Sequence, residues 1–213
     1  NMGAQIRGAG TDVIRITGVP KLESKNTHTI IPDRIEAGTY LALAAAQGDG
    51  VLVKNVIPEH LESFTAKMIE MGVQLDVRED SIYVPKSENL TPIHIKTAPF
   101  PGFATDLQQP ITPLLTLADG ESVITETIYP ERTRHIPELQ KLGVAIENPE
   151  YGQITVTKSN NFHGASVAAA EIRAGASLVT AGLMADGITE VTNAEHVLRG
   201  YDHIIHKLTM LNA

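Results

Sequence analysis

Apolar and polar residues follow a local pattern that occurs three times along the chain. Each copy begins with an apolar run typical of a buried helix, followed by a glycine turn, a short strand and a second helix. The glycines that close the first helix of each copy, Gly50, Gly120 and Gly187, recur at intervals of about 70 residues. Such regular spacing favours one architecture repeated three times over unrelated domains.

The pattern also sets the predicted boundaries of the helices. In the first two copies the second helix begins at Pro58 and Pro130, because proline in a first turn gives up no needed N–H group. In the third copy the second helix contains Ala194–His196 and is expected to end at Leu211–Ala213. The first helices are predicted from the apolar runs Thr39–Ala46, Ile111–Ala118 and Ala176–Ala185.

Strands are predicted after the glycine turns, at Val51–Val56 and Ser122–Ile128. Alternating apolar and polar residues at Gln74–Val84 and Ala145–Thr157 predict hairpins with one buried face. No such hairpin follows the third copy. We therefore expect the third repeat to be incomplete, with its last strands absent or supplied by another segment.

An ionisable residue lies 14 positions before the closing glycine of each copy, at Glu36, Asp106 and Arg173. Helix N-termini carry free N–H groups and partial positive charge, so three of them on one face could gather an anionic substrate. Ordinary capping by polar side chains explains the same pattern. Taken alone, the pattern favours capping.

Composition narrows the class of protein. The chain has 213 residues, of which 42% are hydrophobic, enough for one large domain or two small ones. A net charge of -8 disfavours nonspecific binding to nucleic acid or acidic membranes, so any anion site must be local. No cysteine is present, and no apolar run approaches the roughly 20 residues of a membrane span. We expect a cytoplasmic protein.

Two further sequence patterns are too weak to predict a metal site or a dinucleotide-binding site. His203 and His206 are three residues apart, but no carboxylate ligand pattern accompanies them, so we expect no metal centre. Gly8-Ala9-Gly10 lacks the third glycine of a dinucleotide-binding motif and is more typical of a tight turn.

One long segment carries a specific resemblance to a known family. Lys96–Gln108, with the sequence KTAPFPGFATDLQ, resembles the aspartate-bearing loop of the UDP-N-acetylglucosamine 1-carboxyvinyltransferases, which are enolpyruvyl transferases. Other matching segments occur in the family's order and correspond to the second half of its polypeptide. They are Gly8–Asp12, Ile14–Ile16, Pro32–Glu36, Ile124–Leu139, Arg173–Leu178 and Arg199–Tyr201.

The resemblance implies an α/β (α+β) fold. The family has two lobes built from βαβαββ-type repeats, with helices inside and sheets outside, so that each lobe is an inside-out, barrel-like body. Residues 1–213 are then predicted to form a single catalytic lobe, with repeats at approximately 11–88, 92–158 and 162–213. The N-terminal lobe is missing, and the chain alone is expected to be inactive.

The resemblance also implies a reaction. The enolpyruvyl group of phosphoenolpyruvate is transferred to the 3-hydroxyl of UDP-N-acetylglucosamine through a tetrahedral intermediate, with no metal or cofactor. By the match, Asp106 accepts the hydroxyl proton as general base. Arg199 contacts the substrate, with Arg132 as a second basic contact, and the backbone at Ile128 holds the nucleotide sugar. Glu171 stands where the family usually has aspartate, which leaves its acid–base role open.

Two other functions remain compatible with these residues. The sister enolpyruvyl transferase of the shikimate pathway shares the repeat architecture and the phosphoenolpyruvate chemistry, although the Lys96–Gln108 and Ile124–Leu139 segments favour the nucleotide-sugar enzyme. A noncatalytic binding module of the same fold is the alternative from another class. Retention of Asp106 and Arg199 favours an enzyme.

Overall fold

The computed structural model describes residues 2–24 and 26–211, which form two compact units divided after Pro32. The first unit contains an antiparallel hairpin of strands β1 (Gln5–Arg7) and β2 (Arg15–Thr17). The expected end of the last helix at Asn212 and Ala213 lies outside the described residues.

The second unit has three long helices at its centre, α1, α3 and α5, which pack against one another. Shorter helices lie between the strands and after the last strand. In chain order the helices are α1 (Arg34–Gln47), a 3-10 helix (Pro58–Leu61), α2 (Glu62–Glu70), α3 (Thr105–Leu115), α4 (Ile136–Lys141), α5 (Ile172–Met184), α6 (Glu195–Leu198) and α7 (Ile204–Met210).

Three sheets accompany these helices, and every sheet among the described residues is open. In spatial order the strands are β3-β5-β4, β6-β7-β9-β8 and β10-β11, and the pairs β6/β7 and β10/β11 are parallel. Strand bounds are β3 (Val51–Lys54), β4 (Asp76–Val77), β5 (Ser81–Val84), β6 (His94–Lys96), β7 (Glu121–Thr125), β8 (Ile146–Glu150), β9 (Gln153–Thr157), β10 (Ser166–Ala168) and β11 (Glu190–Thr192). The predicted mixed α/β class with a helical interior is confirmed.

Small residues allow the central helices to approach closely. A Cβ atom at Gly38 in α1 would lie 2.6 Å from Leu107 Cδ2 in α3, so any larger residue would require the Leu107 side chain or a helix to shift. Helix α1 begins after Asp33, whose carboxylate accepts hydrogen bonds from the backbone N–H groups of Ile35 (2.7 Å) and Glu36 (3.4 Å). The approach of Gly38 to Leu107 places the N-terminal parts of α1 and α3 side by side.

The predicted boundaries differ from the structure where tertiary packing outweighs the local pattern. All three central helices begin earlier than predicted, and α3 continues through Pro110 and Pro113, which usually interrupt a helix. Helix α3 is so well buried that its packing against α1 and α5 offsets the loss of two backbone N–H donors at these prolines. The second helix of the third copy divides into α6 and α7, because His203 between them adopts a left-handed conformation (φ 48°).

The prediction that the strand at Ser122 extends to Ile128 is wrong. Strand β7 ends at Thr125, and Ile128 lies in the following turn with 45% of its surface exposed. The backbone N–H groups of Ile128 and Tyr129 bond to the side chain of Glu126. The hairpins predicted at Gln74–Val84 and Ala145–Thr157 are confirmed as β4/β5 and β8/β9.

Candidate active site

The first turns of the three central helices converge. Gly38 in α1 lies against Leu107 in α3, as described above. Tyr201 joins α1 to α5, because its hydroxyl lies 3.0 Å from Thr39 Oγ1 and accepts a hydrogen bond from Arg173 Nη1 at 3.4 Å. The positively polarised ends of three helices therefore lie close together in a chain whose net charge is negative.

Arg132 bridges the starts of α3 and α5. Its Nη1 donates to Asp106 Oδ1 at 2.6 Å, and its Nε lies 3.8 Å from Glu171 Oε1. Asp106 is the second residue of α3, and Glu171 is the N-cap residue of α5. The sequence-predicted pair of carboxylates thus meets at one guanidinium.

The guanidinium of Arg132 is held on several sides. Only 13% of its side chain is exposed, and its charge lies over the ring of Tyr129, 5.6 Å from the ring centroid. Its Nη1 also donates to Thr105 Oγ1 at 3.2 Å, while its buried Nε has no hydrogen-bond partner among the described residues. An arginine bound in this way is not a solvated surface residue.

Asp106 retains one unused oxygen. Arg132 occupies Oδ1, whereas Oδ2 has no hydrogen-bond donor among the described residues. The side chain is also partly exposed at the start of its helix. This carboxylate can therefore accept a proton from a group that binds beside the converging helices.

The structure connects the remaining predicted residues less directly. Ile128 is connected to this region through its backbone, whose N–H donates to Glu126 Oε1 at 2.8 Å. Arg199 is exposed at the C-terminal end of α6, and its guanidinium has no partner among the described residues. The neighbouring Gly200 packs against Ile172 at the start of α5, so the backbone at Arg199 lies near the start of that helix.

Glu126 is a central residue of this region to which the sequence assigned no role. Its buried carboxylate accepts four hydrogen bonds, from the hydroxyls of Thr97 and Thr105 and from the backbone N–H groups of Ile128 and Tyr129. It lies inside the matched segment Ile124–Leu139, but a polar residue after a strand gives no local signal of burial. Only the folded arrangement of β6, β7 and α3 shows it.

Titratable groups near the site respond to burial. Burial lowers the pKa of His135 to about 3, and the positive charge of Arg132 contributes in the same direction. Burial also raises the pKa of Tyr201, against the opposing effect of its hydrogen bond with Thr39 and the nearby Arg173. His135 is thus neutral in the folded protein, and Tyr201 keeps its hydroxyl proton.

The second ion pair at the helix starts belongs to α1. Lys207 in α7 donates from Nζ to Glu36 Oε1 at 2.8 Å and lies 5.8 Å from the centroid of the Tyr40 ring. Glu36 and Arg173, which occupy the positions equivalent to Asp106, therefore have partners within the fold. Of the three equivalent positions, Asp106 is the one with an unengaged carboxylate oxygen beside a guanidinium.

The described residues contain neither a cluster suited to a metal ion nor a helix suited to crossing a membrane. No group of three or more His, Asp or Glu side chains is arranged to hold a metal ion in residues 2–24 and 26–211. Over the same ranges, none of the helices combines the length and hydrophobicity needed to cross a membrane.

Comparison with known proteins places the chain in a family. The model of the EPSP synthase (3-phosphoshikimate 1-carboxyvinyltransferase) family matches residues 1–208. UDP-N-acetylglucosamine 1-carboxyvinyltransferase 2 of Lactiplantibacillus plantarum is 62% identical over 100% of the chain. The protein of the same name from Lactococcus lactis is 60% identical over 98% of the chain. The chain covers 50% and 49% of these two proteins, so it spans about half the length of the curated relatives it matches.

Solved structures agree with this result. The enolpyruvyl transferase NikO from Streptomyces tendae superposes with a TM-score of 0.89 at 26% identity, covering 100% of this chain and 51% of that one. EPSP synthase from Acinetobacter baumannii, at 18% identity and a TM-score of 0.69, shares the fold. The resemblance identified in the sequence is confirmed, and the chain belongs to the EPSP synthase family, whose fold is that of the enolpyruvyl transferases.

Proposed function

We propose that this chain supplies one half of the active site of a UDP-N-acetylglucosamine 1-carboxyvinyltransferase. The carrying observation is the contact of Arg132 with both Asp106 and Glu171 at the point where three helix N-termini converge. The substrates are phosphoenolpyruvate and UDP-N-acetylglucosamine. The names of the relatives at about 60% identity support UDP-N-acetylglucosamine. The product enters peptidoglycan synthesis, which makes the protein a cytoplasmic enzyme of cell-wall biogenesis.

The reaction joins the 3-hydroxyl oxygen of the sugar to C2 of phosphoenolpyruvate while a proton adds to C3. Loss of phosphate from C2 and of a proton from C3 then restores the double bond. Asp106 acts as the general base, because Oδ2 is open to accept the hydroxyl proton while Arg132 fixes the other oxygen. Such a positioned base contributes typically about 10²- to 10⁴-fold to the rate.

Arginine side chains and helix N-termini provide the positive charge that two anionic substrates need. Arg132 stabilises the base and lies at the site, and Arg199 has an unpartnered guanidinium that can bind a phosphate or carboxylate. The backbone at Ile128 holds the nucleotide sugar. None of these roles requires a metal or an organic cofactor.

Glu171 has a positioning or acid–base role through Arg132. Its carboxylate lies 3.8 Å from Arg132 Nε, whereas Asp106 binds Nη1, so the guanidinium is attracted by two carboxylates at different nitrogens. The extra methylene relative to the usual aspartate extends its reach by about 1.5 Å. Glutamate can therefore bridge from the α5 start to Arg132.

The site needs a second lobe, which we assign to the half of the relatives that this chain does not match. That lobe would provide the remaining phosphoenolpyruvate contacts and the acid that protonates C3. The isolated chain is consequently expected to be inactive. Residues 1–213 form, in this proposal, one lobe of three repeats, the third completed from elsewhere.

The runner-up is a 3-phosphoshikimate 1-carboxyvinyltransferase, which the name of the matching family favours. The same general base and arginines would serve that reaction, since both enzymes use phosphoenolpyruvate. The acceptor alcohol is therefore the distinguishing observation. Relatives at about 60% identity over the chain favour the nucleotide sugar.

A joined enzyme tests the proposal. In it, this chain replaces the matching half of the Lactiplantibacillus plantarum relative, and phosphate release from phosphoenolpyruvate is measured with each acceptor. We expect release with UDP-N-acetylglucosamine, none with shikimate 3-phosphate, and a loss of at least about 100-fold for Asp106→Asn. Release by the 213-residue chain alone would refute the second-lobe requirement, and an inactive joined enzyme that folds would favour a noncatalytic module.

A further inference from the structure

Glu126 is a carboxylate that is almost completely removed from water, with 3% of its surface exposed. It accepts hydrogen bonds from Thr97 Oγ1 (2.7 Å), Thr105 Oγ1 (2.9 Å), Ile128 N (2.8 Å) and Tyr129 N (3.0 Å). All four donors are neutral, and no cation forms an ion pair with it among the described residues. A buried negative charge is costly to maintain, so its position calls for a reason beyond packing.

We propose that Glu126 is the positioning residue that aligns both the general base and the backbone that holds the nucleotide sugar. This inference rests on the proposed function. Its two oxygens serve different elements: Oε2 binds Thr105 at the start of α3, and Oε1 binds the turn that follows β7. One side chain thereby connects two parts of the site that the sequence separates.

The first connection runs from Oε2 to Asp106. A threonine hydroxyl has one proton, and Thr105 donates it to Glu126, so its lone pairs point elsewhere. Arg132 Nη1 donates to that same oxygen at 3.2 Å and to Asp106 Oδ1 at 2.6 Å. Glu126 thus determines which way the Thr105 hydroxyl points, and through it where Arg132 directs Asp106.

The second connection runs from Oε1 to the backbone at Ile128. The N–H groups of Ile128 and Tyr129 both point to Oε1. In a planar trans peptide the carbonyl lies opposite the N–H, so the Tyr129 contact turns the Ile128 carbonyl away from Glu126. Thr97 holds the same turn, because its hydroxyl oxygen accepts from Thr127 N at 2.8 Å while it donates to Oε1.

The chemistry of glutamine separates the two connections. In Glu126→Gln the amide oxygen can replace Oε1 and accept from the turn, whereas the NH₂ group cannot accept the Thr105 proton. The base connection is lost and the backbone connection is kept. Thr105→Val breaks the base connection from its other end, and Thr97→Val weakens the backbone connection.

The test compares these variants in the joined enzyme by steady-state kinetics. We expect Glu126→Gln and Thr105→Val each to lower kcat by about tenfold to a hundredfold, the loss expected from a small displacement of a catalytic group. KM for UDP-N-acetylglucosamine should stay within about twofold, and combining the two changes should add little further loss. Thr97→Val should instead raise that KM with a smaller effect on kcat.

Two further measurements separate this inference from folding effects and from the proposed function. Glu147→Gln in β8 is the matched control, since Glu147 is exposed and outside the site, and it should leave both constants unchanged. Amide hydrogen exchange on the 213-residue chain should show Ile128 and Tyr129 protected in Glu126→Gln and unprotected in Glu126→Ala. An active parent whose kcat is unaffected by Glu126→Gln would overturn the inference, whereas an inactive parent would overturn the proposed function.

Discussion

At the scale of single residues, Arg132 makes contacts that a lysine cannot reproduce. Its planar guanidinium reaches Asp106 and Thr105 through Nη1 and faces Glu171 through Nε. Lysine would place one compact charge on a flexible stem and would satisfy one of these partners at a time. We therefore expect Arg132→Lys in the joined enzyme to lower kcat by about 100-fold while the net charge is unchanged.

Phosphate release under saturating substrates measures this loss directly. Arg78→Lys is the control, because Arg78 forms an exposed ion pair with Asp76 far along the chain from these residues. An Arg132→Lys enzyme with kcat within threefold of its parent would show that charge alone suffices. The geometric role of the guanidinium would then be wrong.

His135 makes stability depend on pH. Burial lowers its pKa from 6.5 to about 3, so the folded state holds the ring neutral while the unfolded chain binds a proton below pH 6.5. Its contribution is complete above pH 6.5 and is lost as the pH falls, by at most about 1.4 kcal/mol per pH unit. We expect His135→Gln to flatten the fall in the free energy of unfolding between pH 6.5 and 4.

Urea denaturation at several pH values in this interval measures the slope. Carboxylates contribute to the slope of both proteins, so the informative quantity is the difference between variant and parent. His206→Gln changes an exposed ring and should reproduce the parent's curve. Parallel curves for His135→Gln and the parent would mean that the ring is protonated in the fold.

At the scale of secondary structure, the sequence predicts the elements better than their ends. Glycine turns and alternating residues identify the central helices and both later hairpins, because these signals are local. The turn at Ile128 depends on the Glu126 carboxylate, which Thr97 and Thr105 hold in place from positions distant in sequence, and the break at His203 depends on one left-handed residue. For the same reason Asp106 is recognisable from its loop, whereas the contribution of Glu126 becomes visible only in the fold.

The hairpins of the chain differ in what they bury. In β9, which pairs with β7, Ile154 is 1% exposed, whereas Ile16 in β2 of the first unit is 69% exposed. Removing buried methyl groups costs lost transfer energy and leaves a cavity, while an exposed side chain loses little. We expect Ile154→Ala to lower the free energy of unfolding by about 2–5 kcal/mol and Ile16→Ala by at most about 0.5 kcal/mol.

Equilibrium unfolding of the 213-residue chain checks both substitutions under one set of conditions. The two changes remove the same atoms, so each serves as the control for the other. Equal losses would contradict the assigned exposure of β2. They would mean that Ile16 is covered in solution.

At the scale of the whole molecule, buried apolar residues are distributed unevenly along the chain. The large apolar residues that are buried all lie at position 35 or beyond among the described residues, around α1, α3 and α5 and the sheets beside them. Every residue of β1 and β2 is exposed, and a short isolated hairpin is at best marginally stable in water. The catalytic candidates Asp106, Glu171 and Arg132 belong to the well-packed part.

Amide hydrogen exchange over the whole chain should display this difference. We expect the amides of α3, α5 and β9 to exchange only through global opening, because their hydrogen bonds lie within the buried core. The amides of β1 and β2 should exchange many-fold faster, since local fraying is enough to expose them. Equal protection in the hairpin and the core would show that β1 and β2 have a stabilising partner in solution. Slow exchange at the starts of α3 and α5 would show that the half-site is already ordered before any second lobe or substrate binds.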